Sequence, residues 1–419
     1  MKKRILAFLL LLVTLFTLTL SSCKGDGSGE PIVNEPSDDE EESLILSKEK
    51  LEGALMEAIK KIDFALPAFT KDFPSHNSTD NVYEAVANTS GWNQGFWTGI
   101  LWHAYELTGD ENYKNVATSQ ISSFYYRIQD KVGVEHHDMG FLYIPSCLAA
   151  YKITGNQMAK RAAVMAAKNL AERYRENGRY IQASGKVGAN QRMIVDTLLN
   201  IPILHWASEE TGDKKYSEIA CNHYETTLSV CFREDGSTYQ ACFFDKNTGE
   251  PLQKGTSQGA GDETTWSRGQ SWAIYGSALA YKYTRDEAAL SAFKSSLDYY
   301  LKNLPEDYVA YWDLSFTGGD EPRDSSSAAI AVCGILEGIQ YLSESDPDKA
   351  RYIEAAKNIM NSLIDNYTTK NIPEANGLLL HGTYNNRGNV GVDEMNIWGD
   401  YFYMEALHRM LDAEWRGYW

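Results

Sequence analysis

Tyr105-Glu106-Leu107-Thr108-Gly109-Asp110 is the stretch that decides the fold, because variants of it recur along the chain. Each copy follows an apolar segment with helical spacing and precedes a second such segment. The glycine can end the first helix in a left-handed conformation, and the Asp or Asn that follows can cap the next helix. The pattern therefore predicts helical hairpins. Further copies lie at 151–156, 209–213 and 281–286, with a looser copy at 342–347.

The spacing of these turns predicts the number of helices. The turns start at positions 108, 154, 211, 284 and 343, so one repeat has room for two helices and a variable loop. We predict about twelve helices, which begin near residues 47, 94, 111, 139, 157, 191, 214, 267, 286, 325, 348 and 396. The even-numbered helices are the more apolar ones. We therefore predict an all-α (α/α)6 toroid over residues 45–419 with the even-numbered helices inside. An open solenoid of the tetratricopeptide kind is the alternative.

The first 44 residues have the character of a targeting segment. Lys2-Lys3-Arg4 precedes an apolar stretch at 5–20, and Leu20-Ser21-Ser22-Cys23 looks like a bacterial lipobox. We predict a lipoprotein signal peptide at 1–22, lipidation of Cys23 and a lipid-anchored protein of the periplasm; an uncleaved anchor is the alternative. Residues 23–44 are rich in Gly, Ser, Pro and acids, which predicts a flexible acidic tether.

Composition excludes some classes of partner. The chain has 419 residues and a net charge of −18, so bulk attraction to nucleic acid is excluded. The five cysteines after Cys23 fit no zinc or redox spacing, and we interpret them as buried thiols. We predict no metal and no cofactor, and membrane contact only through the N-terminal lipid.

Two aspartates lie at positions where an ionised carboxylate is energetically unfavourable. Asp196 lies in the apolar run 192–202, about one turn inside the predicted sixth helix, and burying a carboxylate costs several kcal/mol unless it is paired or protonated. Asp138 stands in His136-His137-Asp138, at the predicted start of the fourth helix, where it could instead serve only as a helix cap. Because all inner helices of a toroid start on one face, we expect both acids at one cavity, an arrangement suited to acid/base chemistry.

Aromatic and cationic residues accompany the two acids at the starts of the even-numbered helices. Aromatic faces stack on sugar rings and arginine binds a carboxylate bidentately, so this set suits a charged sugar. Each residue also has a structural interpretation, with the tryptophans in the core, the arginines paired with acids and the histidines in solvated loops. The residues are Trp92, Trp97, His136, His137, Trp266, Arg268, Trp272, Arg323 and Trp398.

These motifs resemble glycoside hydrolase family 88, the unsaturated glucuronyl hydrolases. The resemblance implies the same toroid and a specific reaction. The reaction is removal of a 4,5-unsaturated uronic acid from the non-reducing end of oligosaccharides left by a polysaccharide lyase. Glycosaminoglycan-type fragments of chondroitin, hyaluronan or heparin are the implied substrates, and the lyase is the metabolic partner. The matching segments are 91–99, 136–141, 196–200, 265–270, 311–313, 323–326 and 397–401, in order over most of the chain.

The resemblance also implies residue roles. Asp196 would be the general acid/base that protonates C4 of the enol ether, with water adding at C5, and Asp138 would be its essential partner. An apolar setting and a nearby like charge should both raise the pKa of the acid. Arg268 would face the uronate. The implied substrate contacts are Trp92, His137, Gln258, Trp266, Arg268, Trp272 and Tyr384.

The sequence departs from the family pattern in loops that would line the leaving-sugar subsites. Gln240 and Ser257 replace two family histidines, and Ser184 replaces a stacking tryptophan. The reaction is unaffected, but linkage, sulfation and leaving sugar stay open. Lys186, Lys254, Arg387 and Asn389 could bind a sulfate or could simply be solvated. The alternative functions are an unsaturated rhamnogalacturonyl hydrolase acting on pectin fragments and a non-catalytic glycan-binding lipoprotein.

Overall fold

The computed structural model describes residues 46–419, which lie in one compact unit. The predicted signal peptide (1–22), Cys23 and the tether (23–44) lie outside the described residues. None of the helices in residues 46–419 combines the length and apolarity that a membrane span requires. The α-helices are α1 Lys48–Ala65, α2 Gln94–Thr108, α3 Glu111–Gln129, α4 Met139–Tyr143, α5 Ala149–Thr154, α6 Gln157–Ala171, α7 Pro202–Thr211, α8 Lys215–Cys231, α9 Ser267–Thr284, α10 Glu287–Lys302, α11 Ser325–Gly338, α12 Lys349–Asn366 and α13 Ile397–Leu411.

The helices alternate between an inner and an outer ring. A π-helical turn, Ile144–Leu148, joins α4 and α5 into one continuous rod, so the described residues form twelve rods. The inner ring consists of α2, α4–α5, α7, α9, α11 and α13. Helix α9 packs on α11, α11 on α13, and α13 on α2, which closes the ring. The predicted (α/α)6 toroid is confirmed, and the open solenoid is not the fold.

Burial follows the same alternation. Every residue of inner helix α11 except Leu336 is buried, whereas outer helix α6 buries a stripe of alanines and Leu170. The inner helices approach one another closely because small residues face their neighbours. A Cβ atom on Gly334 of α11 would lie 2.9 Å from the Cα of Tyr275 on α9, so no larger residue fits there.

The repeated turn has the predicted conformation. Gly109 ends α2 with a φ of +74°, and the side chain of Asp110 then accepts a hydrogen bond from the Asn112 N–H, which caps α3. Asn156 caps α6 in the same way. In the fourth copy Arg285 takes the left-handed position with a φ of +59°, so the repeat keeps its geometry without glycine.

The prediction for the sixth helix was wrong in position. Residues Arg192–Ile194 form a strand, Val195–Leu199 form a 3₁₀ turn, and α7 begins only at Pro202. Two local features explain the difference. Residues 192–194 pair with a neighbouring strand, and Pro202 fits only the first turn of a helix. Asp196 therefore lies in a 3₁₀ turn before the helix. The other eleven predicted starts fall within one residue of an observed helix start.

In the described part of the chain, short strands occur only in the loops between helices. The strands are β1 Phe73–Pro74, β2 Ala85–Val86, β3 Tyr174–Arg175, β4 Tyr180–Ile181, β5 Arg192–Ile194, β6 Ala241–Phe244, β7 Pro251–Gly255, β8 Gly382–Asn385 and β9 Val390–Glu394. Strands β5, β6 and β7 form an antiparallel sheet in that order. This sheet and the β8–β9 hairpin lie at the end of the ring where the inner helices begin, and both contribute residues to the cavity there.

Candidate active site

A cavity of about 180 Å³ opens at the end of the ring where the inner helices begin. It brings together all nine residues predicted for catalysis and substrate contact. Three other candidates do not line it. Trp398 is buried behind Trp92, with ring centroids 4.8 Å apart, and its indole N–H donates to Oγ of Ser326. The buried Trp97 donates to the carbonyl of Phe69, and Arg323 stacks over Tyr311 and pairs with Asp307. The lining residues are Trp92, His136, His137, Asp138, Ala183, Ser184, Arg192, Ile194, Asp196, Gln258, Trp266, Arg268, Trp272 and Tyr384.

Asp138 is placed by the start of α4 and stays ionised. It occupies the N-cap position, but its carboxylate caps no helix N–H. Its Oδ2 atom lies 2.9 Å from Nδ1 of His136, and Nε2 of His136 lies 3.0 Å from the carbonyl of Gly133. Burial alone would raise the pKa of Asp138, but His137, His136 and Arg173 together hold that pKa below its usual value. Asp138 is therefore a carboxylate at neutral pH.

The pKa of Asp196 is shifted in the opposite direction. Its Oδ1 atom is buried and has no hydrogen-bond partner among the described residues. Burial, followed by the charge of Asp138, raises the pKa of Asp196 to about 8, although Arg192 and Arg268 act in the other direction. Asp196 is therefore protonated at neutral pH beside an ionised partner. Two carboxyl groups whose pKa values are driven apart can act as a proton donor and a fixed negative charge in one site.

His137 lies between the two acids in a defined tautomer. Its Nε2 atom is 3.4 Å from Oδ1 of Asp138 and 3.6 Å from Oδ1 of Asp196. Its Nδ1 atom is 2.5 Å from Oγ1 of Thr197, which donates its only proton to the carbonyl of Ile194. Nδ1 must therefore be the donor. Burial lowers the pKa of His137 to about 4, so the ring is neutral and Nε2 presents a lone pair towards the acids.

Most of the N–H groups of Arg268 donate to residues in the wall of the cavity. Its guanidinium pairs with Asp324 and donates to the carbonyls of Thr383 and Tyr384, the latter two at 2.6 and 2.7 Å. These contacts use three of its five N–H groups. The group also lies 4.6 Å from the ring centroid of Trp266. Arg268 thus holds strand β8 against α9, and only Nε and one hydrogen of Nη2 stay available for a substrate.

Aromatic side chains form one wall of the cavity. Trp92 is only partly buried, and its indole N–H donates to the hydroxyl of Tyr384 at 3.3 Å. Trp272 is buried against Phe141, with ring centroids 5.0 Å apart, and Phe141 also contacts Trp92 at 5.4 Å. Trp92 therefore has the open surface that stacking on a sugar requires, while Trp272 supports the wall from behind.

Three arginines surround the acids. Arg173 and Arg192, which were not among the predicted site residues, lower the pKa values of Asp138 and Asp196 respectively, and Arg268 also lowers that of Asp196. His137, Asp138 and Asp196 lie within 4.8 Å of one another, close enough to chelate a metal ion. The surrounding positive charge instead favours an anionic ligand. If residues 192–194 had been predicted as a strand, Arg192 would have been placed on the same face as Ile194, and it could have been identified as a candidate site residue.

Two of the three departures from the family pattern, Gln240 and Ser257, are hydrogen-bonded to each other. Gln240 Oε1 accepts from the Oγ1 of Thr256 and the N–H of Ser257, at 2.6 and 2.7 Å. Its Nε2 atom donates to Gln258 at 2.6 Å, and Gln258 donates to the carbonyl of Tyr384 at 2.9 Å. Gln240 therefore positions Gln258 by fixing the loop that carries it. Ser184, which stands where a tryptophan was expected, leaves its side of the cavity without a ring.

Comparison with known proteins assigns the family. The model of Glycosyl Hydrolase Family 88 matches residues 66–412. An unsaturated chondroitin disaccharide hydrolase of Streptococcus agalactiae serotype III (strain NEM316) is 44% identical over 380 residues, which cover 90% of this chain and 95% of that protein. The crystal structure of an unsaturated glucuronyl hydrolase from S. agalactiae has a TM-score of 0.87 and 43% identity, covering 93% of this chain and 99% of that one.

A further structure shows a mutant of the S. agalactiae enzyme complexed with dGlcA-GalNAc6S; it has a TM-score of 0.81 and 41% identity, with the same coverage of both chains. These similarities confirm the predicted fold and the predicted activity, which is removal of an unsaturated uronic acid from oligosaccharides. The chain is thus a glycosidase. The chain belongs to glycoside hydrolase family 88, the unsaturated glucuronyl hydrolases.

Proposed function

We propose that Asp196 is the general acid/base of this enzyme and that Asp138 is its ionised partner. The observation that carries the proposal is the opposite direction of their pKa values within one cavity. A general acid must hold its proton at the working pH, and an acid with a pKa of about 8 does so at neutral pH. Asp138 supplies a nearby negative charge that favours positive charge developing on the substrate.

The reaction that fits this pair is hydration of the enol ether. Asp196 gives its proton to C4, and positive charge develops at C5 and the ring oxygen close to Asp138. Water adds to C5 and returns one proton to Asp196. The resulting hemiketal opens, and the hemiacetal left at C1 releases the shortened oligosaccharide. One water molecule is consumed, and Asp196 ends protonated as it began.

The substrates we propose are disaccharides of the glycosaminoglycan type. A relative is named for unsaturated chondroitin disaccharides, and a similar structure holds dGlcA-GalNAc6S. In this chain the charge around the acids supports the same class, because Arg173, Arg192 and Arg268 offset the negative charge of a uronate entering beside Asp138. The partly buried face of Trp92 offers a stacking surface for the unsaturated ring.

Loss of the ultraviolet absorbance of the C4=C5 bond tests the proposal. The wild-type protein should abolish this absorbance with unsaturated chondroitin, hyaluronan or heparin disaccharides, and Asp138→Asn and Asp196→Asn should each lose turnover while remaining folded. Trp97→Phe, which alters a buried indole outside the cavity, is the matched control and should retain activity. An active Asp196→Asn protein would remove Asp196 from the mechanism.

Pectin-derived fragments provide the comparison with the alternative activity. An unsaturated rhamnogalacturonyl hydrolase would show the same loss of absorbance on pectin fragments and none on glycosaminoglycan disaccharides. Binding of glycans with no chemical change would support the non-catalytic alternative. Product analysis by mass spectrometry distinguishes all three outcomes.

We also propose that the enzyme is a periplasmic lipoprotein that acts after a polysaccharide lyase. Support comes from the basic start, the apolar stretch at 5–20 and Cys23, which the sequence places in the order that lipidation requires. The lyase follows from the substrate, since only β-elimination leaves a C4=C5 bond at the non-reducing end. Cys23→Ser should abolish lipid labelling and release the protein from membranes; unchanged membrane association would contradict the proposal.

A further inference from the structure

The backbone of Ala183 connects the two segments that carry the acids. Its carbonyl accepts a hydrogen bond from the N–H of His137 at 2.8 Å, and its own N–H donates to the carbonyl of Arg192 at 2.8 Å. His137 immediately precedes Asp138 in the chain. Arg192 begins strand β5, which leads into the 3₁₀ turn with Asp196. The position of Asp138 relative to Asp196 therefore depends on where Ala183 lies.

The side chain of Gln182 organises the loop at 182–188. Gln182 is fully buried, and its amide group donates to the carbonyls of Ser184 and Lys186 at 2.9 and 2.8 Å. Its Oε1 atom accepts a hydrogen bond from the N–H of Gly188 at 2.7 Å. One buried side chain thus makes three hydrogen bonds to the backbone of a loop that is otherwise largely exposed. These bonds fix the course of the loop.

Arg173 contacts the same loop. Its Nε atom donates to the carbonyl of Gln182 at 2.8 Å, and its Nη2 atom donates to the carbonyl of Gly185 at 3.0 Å. Arg173 is buried, and within residues 46–419 it forms no ion pair, although buried charges are normally paired. Burial lowers the pKa of Arg173 to about 10, and the carboxylate of Asp138 acts most strongly in the opposite direction. Arg173 is therefore charged at neutral pH, and Asp138 is its main opposite charge.

From these contacts we propose that Gln182 and Arg173 are positioning residues for the two acids. They hold Asp138 opposite Asp196 by fixing the loop at 182–188. The inference rests on the proposed function, in which the two acids act together. Neither Gln182 nor Arg173 lines the catalytic cavity, so both act through the loop. Arg173 has a second role, because its charge favours the ionised form of Asp138.

Several charged and titratable groups surround Asp138. Burial raises the pKa of Asp138, and His137, His136 and Arg173 together hold it below its usual value. Arg173 is the permanent cation of the three, because an arginine keeps its charge across the acid and neutral range. The other groups that interact with Asp138 are Arg127, Asp196 and Tyr384.

The steady-state constants test the role of Gln182. Gln182→Met keeps the length of the side chain but removes its three hydrogen bonds, and kcat should fall about 10–100-fold, because small displacements of reacting groups are that costly. KM should change less than kcat does. Gln120→Met is the matched control. Gln120 is a buried amide that accepts from Thr98 and donates to the carbonyl of Phe69 outside the cavity, so this variant should keep the wild-type kcat.

The pH dependence of kcat/KM tests the charge of Arg173. Asp138 must be ionised in the proposed mechanism, so protonation of Asp138 sets the acid limb of the profile. Arg173→Met removes a charge that lowers the pKa of Asp138, and the acid limb should move to higher pH. Arg173→Lys keeps the charge but not the hydrogen-bond geometry, so kcat should fall while the limb stays in place. Arg233→Met removes an arginine that donates to the carbonyls of Thr238 and Thr264 outside the cavity, and it should leave the limb unchanged.

Two results would overturn the inference while the proposed function stands. One is a folded Gln182→Met protein with the wild-type kcat, and the other is an acid limb that Arg173→Met leaves in place. If Gln182→Met does not fold, Arg173→Lys is the milder variant, and an unchanged kcat in that protein overturns the positioning role.

Absence of turnover by the wild-type protein would instead contradict the proposed function. In that case amide hydrogen exchange still decides the inference. The N–H of His137 should exchange at least about tenfold faster in Gln182→Met than in Gln120→Met, because only the first variant loosens the loop that accepts its hydrogen bond. Equal exchange rates in the two variants would overturn the inference.

Discussion

Both ends of the helical ring contain buried acids, but these acids differ in whether cations are paired with them. Where the inner helices end, Glu405 accepts from Nε of Arg409 at 2.9 Å and from the indole of Trp419 at 2.8 Å. Glu337 pairs with Arg409 at 3.0 Å and with Lys282 at 3.6 Å. Where the inner helices begin, Oδ1 of Asp196 has no partner among the described residues.

The difference separates a compensated from an uncompensated buried carboxyl group. Burial raises the pKa of Glu337, but Arg409 and Lys282 overcome that effect and hold the pKa below its usual value. Burial also raises the pKa of Asp196, and the neighbouring carboxylate of Asp138 adds to the increase. A compensated acid stays ionised and stabilises the fold, whereas an uncompensated acid keeps a proton that it can transfer. Four predictions test this contrast.

Asp196→Asn should give the largest effect, a loss of kcat of about 10²–10⁴-fold. Its thermal unfolding midpoint should stay close to that of the wild type at pH 7, because asparagine has the same size and the carboxyl is already neutral. Steady-state rates and differential scanning calorimetry measure the two quantities. A large drop in the midpoint would show that Asp196 is a structural acid.

Glu405→Gln should give the reverse pattern. Removing one charge from the buried network leaves Arg409 undercompensated, and breaking such pairs costs about 3–5 kcal/mol of unfolding free energy. The kcat/KM of the protein that stays folded should change less than about threefold, since Glu405 does not line the cavity that contains Asp138 and Asp196. Urea unfolding measures the cost. Glu57→Gln, which breaks an exposed pair with Lys60, is the control and should cost less than about 1 kcal/mol.

The pH dependence of kcat/KM should reflect the raised pKa of Asp196. If Asp196 is the general acid, as we propose, its acid form is the active one, and with a pKa of about 8 kcat/KM should fall about tenfold for each pH unit well above 8. The charge of Asp138 raises that pKa, so in Asp138→Asn the alkaline limb of the residual activity should move to lower pH. A limb that stays in place would mean that the two carboxyl groups do not interact.

Thr197→Val should give the smallest effect. Without the hydroxyl, Nδ1 of His137 loses its acceptor and the ring loses the tautomer that directs Nε2 towards the acids. We expect kcat to fall about tenfold with little change in KM, which matches the cost of one unsatisfied buried donor. Thr197→Ser retains the hydroxyl and should recover most of the rate. An equal loss in both variants would indicate a packing effect instead.

The ring and its cavity were predictable because they depend on local signals that repeat. The Gly-Asp turns fix where one helix ends and the next begins, and the apolar alternation fixes which helices lie inside. Since all inner helices start on one face, the convergence of Asp138, Trp266 and Arg268 followed without coordinates. The misplaced sixth helix shows the limit of such signals. A short apolar run is compatible with either a buried helix or a paired strand. Only the pairing of β5 with β6 decides between the two.

By itself, the sequence determined the toroid and the family, because spacing and residue type carry that information, and it indicated Asp138 and Asp196 as the candidate acids. Tertiary structure decided which acid keeps its proton. That outcome depends on distances between residues far apart in the chain, namely Asp138 to Asp196 and both to His137. It also decided that Arg268 is held by Asp324, while the buried Nε atom of Arg192 has no hydrogen-bond partner within residues 46–419. Pairing and burial are properties of three-dimensional neighbours, and no local pattern records them.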